Sequence, residues 1–133
     1  MTAERPQIRR IATDPDLYAP SAISQAVALG DLVVVSGQVG IDENGDTVPG
    51  GFTAQARQAL LNLEKVLKAA GTDLDHVAKV TILTTQTPAM DEVVALRREF
   101  FSQPYPADTI AQVVALARPE WLIEIEAFAV LPS

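Results

Sequence analysis

An α+β domain with one sheet and two helices is what this sequence predicts, and three patterns predict it. Short β-rich runs fill the first forty residues, two stretches carry apolar residues at helical spacing, and two further β-rich runs close the chain. In order, this reads βββαβαββ, a pattern in which the helices cover one face of a shared sheet. At 133 residues the chain fits a single domain, 1–133, long enough for a real core without staples.

Taking the elements in order, Gln7 to Ala12 forms a first strand, followed by a loop punctuated by Pro15 and Pro20 that carries Tyr18. Gln25 to Leu29 and Leu32 to Gln38 are strands joined by Gly30-Asp31, a two-residue hairpin signal. The run Val33-Val34-Val35 is apolar on both faces, so this strand should be covered by helices on one side and by neighbouring subunits on the other. A buried central strand explains the run nearly as well.

After the turn Glu43 to Asp46 and the pair Gly50-Gly51, Ala56, Leu60, Leu63, Val66, Leu67 and Ala70 recur at helical spacing. Gly71 supplies the left-handed stop. Val77 to Thr84 alternates as a strand. Thr87 and Pro88 occupy the favoured cap and first-turn positions of a second helix, whose apolar face is Met90, Val93, Val94, Leu96, Phe100 and Phe101. Thr109 to Ala115 and Leu122 to Leu131 are the last two strands.

Composition excludes several functions. The formal charge of −7 and the scattered basic residues argue against nucleic-acid binding, which draws its affinity from phosphate contacts. No apolar run approaches a membrane span. Met1 to Arg5 has no apolar stretch behind it, which makes secretion unexpected and the cytoplasm the expected compartment. Without cysteine there are no disulfides, thiolate chemistry or sulfur-ligated zinc, and one histidine leaves no metal site expected. His76, in the turn Asp73 to His76, is expected to be exposed or to cap. Ser36 has no histidine partner in a recognisable motif, so a nucleophilic triad is not expected. Gly50-Gly51 lacks the spacing of a phosphate loop.

The segments Leu32 to Gln38, Ala54 to Asn62, Pro106 to Ile110 and Ile123 to Val130, in this order and at these separations, resemble those of the Rid family (reactive intermediate deaminase, or YjgF). The resemblance runs from about Ile8 to Val130. It implies a chorismate-mutase-like sandwich, a homotrimer, and a small-molecule cleft at each subunit boundary, with no cofactor. Archetypal members hydrolyse enamines and imines such as 2-aminoacrylate to keto acids and ammonia.

Residue by residue, Glu124 matches a family glutamate that helps to place the attacking water. Ser36 and Gly37 match a polar strand end facing the ligand. Asp108 stands where the family carries the arginine that grips the substrate carboxylate, Ile23 stands at a tyrosine position and Ile110 at a cysteine position. Glu124 and Asp108 are therefore the candidate catalytic residues, and Ser36, Gly37, Ile23 and Ile110 the candidate binding residues. From alternation alone, Glu124 and Glu126 share a strand face that is either solvated or part of a cleft. Asp108 is likewise either a solvated loop-end carboxylate or a cleft residue.

An attracting charge replaced by a repelling one changes the energy of a substrate carboxylate by roughly 2 to 8 kcal/mol, at least about 30-fold in affinity. The expectation is a diverged imine or enamine hydrolase acting on substrates without a free carboxylate. The alternative is a trimeric binding or regulatory protein that no longer deaminates. Arg118, before the last strand, is a possible replacement cation.

Overall fold

The computed structural model describes residues 7–133; the leader-free reading of Met1 to Arg5 lies outside them. The strands are β1 (Ile8–Ile11), β2 (Ala26–Leu29), β3 (Leu32–Val39), β4 (Val77–Thr84), β5 (Ala107–Gln112) and β6 (Ile123–Val130). The helices are α1 (Gly51–Ala70) and α2 (Met90–Phe100), so the order βββαβαββ holds. One six-stranded mixed sheet runs β1-β2-β3-β6-β4-β5, antiparallel throughout except for the parallel pair β4–β5, which α2 bridges.

The hairpin between β2 and β3 turns at Gly30, whose φ of +60° suits the first central position of a tight turn. Helix α1 buries Ala56, Ala59, Leu60, Leu63, Val66, Leu67 and Ala70, a stripe at helical spacing that meets Val33, Val35, Ile125, Ala127 and Ala129 of the central strands. At its end Gly71 turns left-handed and donates its N–H to the carbonyls of Leu67 and Lys68.

Among the described residues, the sheet has helices on one face only. Val33 and Val35 are buried beneath α1, whereas Val34 points the other way and is half-buried. Its surroundings on the open face are Leu29, Leu32, Phe128 and Val130, all exposed.

Three expectations change. α2 begins at Met90 after an extended Ala89 that makes no side-chain cap, instead of at Thr87 and Pro88. The Thr87 hydroxyl is bonded to Gln112 Oε1, which ties it to the end of β5 and away from the helix N–H groups. Acidic Asp91 and Glu92 in the first turn complement the helix dipole instead. On α2 only Val93 and Leu96 are buried, and Met90 is exposed. β5 runs Ala107–Gln112 instead of Thr109 to Ala115, so Ala107 and Asp108 are strand residues and Val113 to Ala115 are not.

Candidate functional site

The site grows from an irregularity in β3. Val35 pairs with Ala127 and Gln38 with Ile125, so Ser36 and Gly37 together stand opposite the single residue Glu126. A bulge of this kind re-aims side chains at a strand end. Ser36 turns back, its hydroxyl donating to the Ser24 carbonyl at 2.6 Å.

Gly37 leaves room for Glu124. A methyl group on Gly37 would stand 2.6 Å from Glu124 Cδ and 2.7 Å from Oε1, so the carboxyl lies directly against the glycine backbone. On β6 the flanking Ile123 and Ile125 are buried under the helices, which sends Glu124 and Glu126 to the open face. Glu124 is half-buried, and among the described residues no cation pairs with it. Burial, then the negative charge of Glu126, hold its carboxyl above the usual glutamate range.

Tyr18 completes this group. Its phenol donates to the Gly37 carbonyl at 2.5 Å, and burial together with the nearby Glu124 charge pushes it up to about 12. Tyr18 was visible in the sequence only as an aromatic residue in a proline-punctuated loop.

Asp108 lies elsewhere. It pairs in register with Val80 and Ile110 pairs with Ile82, both helix-side positions, so Asp108 and Glu124 are on opposite faces of the sheet. A single chain does not gather the two carboxylates into one cleft. Asp108 instead accepts from Arg97 on α2, Nε to Oδ2 and Nη2 to Oδ1, each at 2.8 Å. The edge backbone is open, yet the two side chains keep only 18% and 26% of their exposure. Sequence reasoning missed Arg97, although a signal existed: it falls four residues after buried Val93 and next to buried Leu96, where a helix facing a core should be apolar.

Ile110 packs half-buried against the core, and Ile23 is exposed on the loop before β2. Arg118 stacks over Trp121 at 5.5 Å, and the Trp121 indole donates to Thr47. His76 is bonded through Nδ1 to Asp73 at 2.7 Å, beside the turn that Asp73 caps. Among the described residues, no group of three or more His, Cys, Asp or Glu is placed to hold a metal.

Comparison with known proteins agrees with this fold. Residues 14–131 match the family model described as Endoribonuclease L-PSP. A 2-iminobutanoate/2-iminopropanoate deaminase of Mus musculus is 43% identical over 84% of this chain and 85% of its own length. The protein of the same name from Homo sapiens is 39% identical over 92% of this chain and 90% of its own length. Among solved structures, RidA from an Antarctic Psychrobacter species superposes with a TM-score of 0.85 at 33% identity, covering 92% of this chain and 99% of that one. A family model spanning nearly the whole chain, relatives this similar and a shared architecture lead to one conclusion: the chain belongs to the endoribonuclease L-PSP family, the same Rid family its segments resemble.

Proposed function

We propose that this chain hydrolyses imines or enamines, with Glu124 placing and deprotonating the attacking water. The observation that carries the reading is the half-buried Glu124 carboxyl, seated on Gly37 without a cation partner among the described residues and held by burial above the usual glutamate range. A carboxylate so placed takes a proton from water as the oxygen adds to the C=N carbon, and the imine nitrogen gains a proton. Collapse of the carbinolamine then releases ammonia and leaves a carbonyl compound. The names of the mouse and human relatives support imines as the substrate class.

The finer reading is a substrate without a free carboxylate. Glu124 and Glu126 share the open face, and the cation nearest to position 108, Arg97, has two of its nitrogens turned onto Asp108. That pairing revises the size of the effect. A compensated Asp108 no longer repels like a bare charge, so what remains is the lost attraction, roughly 1 to 4 kcal/mol.

The assembly in this reading is a homotrimer. Leu29, Leu32, Phe128 and Val130 leave an apolar patch on the uncovered sheet face. A neighbouring copy is what brings Asp108 and Ile110 toward Glu124, and the ligand is held at that boundary. The cytoplasm is the compartment this reading assigns. The net charge of −7 gives no support to binding of RNA, whatever the family model's description.

The test generates 2-iminopropanoate and a neutral imine in situ and follows ammonia release over the spontaneous rate. Glu124→Gln is expected to lower kcat/KM about a hundredfold or more, and the neutral imine to be the better substrate. An unchanged rate in Glu124→Gln removes the reading. Saturable binding of product-like carbonyl compounds without any turnover establishes the non-catalytic alternative.

A further inference from the structure

On the helix side of the sheet, behind the Glu124 site, lies a cleft of about 480 Å³ between the Thr13–Tyr18 loop and α1. That is room for a small metabolite. Its lining carries both signs of charge: Lys65 and Lys68 from α1, of which Lys68 pairs with Glu64, and Asp14, Asp42 and Glu43 from the loops. Lys65 stands exposed on α1 and has no ion-pair partner among the described residues, while Asp14 stands exposed on the facing loop.

The floor holds a polar side chain whose acceptor has no donor among the described residues. Gln38 is only 3% exposed, and its Nε2 donates to the Ser36 carbonyl at 3.0 Å. Among the hydrogen bonds of the described residues none reaches its Oε1. Gln38 lines the cleft, and its Oε1 is not among fully enclosed unpartnered atoms of the described residues. The buried amide Gln25, by contrast, has both ends occupied by Thr13. An acceptor on the floor of a cleft, on a side chain only 3% exposed and with no protein donor among the described residues, suits a donor from a ligand.

The cleft and the Glu124 site share one wall. Gly37 bears Glu124 on the open face, Gln38 next to it faces the cleft, and Tyr18 lines the cleft while bonding the Gly37 carbonyl. The shared segment is the bulge, where one extra residue has no cross-strand partner to fix it.

We propose that this cleft is a second ligand site for a free α-amino acid or a molecule of the same dipolar kind, and that its occupancy alters Glu124 through Tyr18 and the bulge. The ammonium donates to Gln38 Oε1 on the Asp14 side, and the carboxylate meets Lys65. The inference goes beyond the hydrolase reading, and binding at the cleft stands whether or not the chain hydrolyses imines.

NMR titration of the full chain with L-serine tests it, with propionate and ethylamine as singly charged controls. Expected are saturable millimolar shifts of the Gln38 side-chain amide that the two controls do not reproduce. Ala69→Trp, which fills the cleft from an exposed helix position, is expected to abolish them, and Lys65→Glu to weaken them about tenfold. The same titration is expected to move the carboxyl resonance of Glu124, a readout independent of turnover. No saturation up to about 100 mM, equal binding of either control, or binding unaffected by Ala69→Trp overturns the site. Binding with a motionless Glu124 resonance overturns the coupling.

Discussion

Replacing Gly37 by alanine separates the fold from the chemistry. The three nearest atoms to the new methyl group, at 2.6, 2.7 and 2.8 Å, all belong to the Glu124 side chain. To restore an ordinary 3.4 Å contact the carboxyl must retreat by about 0.8 Å. It is the far end of a flexible side chain, half-exposed on the open face, so it swings without moving the backbone. Stability is therefore expected to change by no more than about 1 kcal/mol, because alanine also restricts the unfolded chain. A catalytic group misplaced by about 1 Å costs on the order of a hundredfold in rate. The expected outcome is an unfolding midpoint near that of the parent and imine hydrolysis reduced about a hundredfold, read by urea titration and ammonia release. Adding Gly37→Ala to Glu124→Gln is expected to produce no further loss, since the two changes act on one carboxyl. A full hundredfold loss on top of Glu124→Gln, or unaltered hydrolysis in Gly37→Ala alone, refutes the placement of Glu124 as the working group.

Gly40→Ala should behave oppositely: its methyl group meets the backbone Cα of Gln55 at 2.6 Å, so a loss of about 1 to 3 kcal/mol is expected in the same urea titration. Because the folded-state pKa of Glu124 is raised above its unfolded value, its contribution to stability is present below the unfolded pKa and lost as pH rises through the folded one. Glu124→Gln is therefore expected to gain stability relative to the parent as pH rises past the ordinary glutamate range, and Glu126→Gln to move the acid limb of the activity profile downward; denaturant midpoints and kcat/KM against pH check both. A double-mutant cycle on Arg97→Ala and Asp108→Ala is expected to give a coupling of about 1 to 3 kcal/mol, discounted for the remaining exposure of both side chains, whereas a value near zero makes the pair a surface contact.

Periodicity was enough for the architecture because the central elements, α1, β3, β4 and β6, each bury a regular stripe. Leu63, Val66 and Leu67 of α1, or Ile123 and Ile125 of β6, announce their burial by spacing alone. The same alternation that buried the two isoleucines turned Glu124 outward. What spacing could not convey was partnership. Nothing local links Arg97 to Asp108, since that ion pair exists only once α2 packs across the β4–β5 crossover. The hydrogen bond from Tyr18 to Gly37 is equally non-local, and the bulge behind it is a matter of register between β3 and β6. Thr87 misled for the converse reason: a good local capping residue was captured by Gln112 from another strand.

Leaving one side of the sheet bare has a thermodynamic consequence. Leu29, Leu32, Phe128 and Val130 meet water in a lone copy, so any association that covers them adds to folding free energy through mass action. Heat-denaturation temperature then becomes a function of how much protein is in the tube, and dilution should lower it.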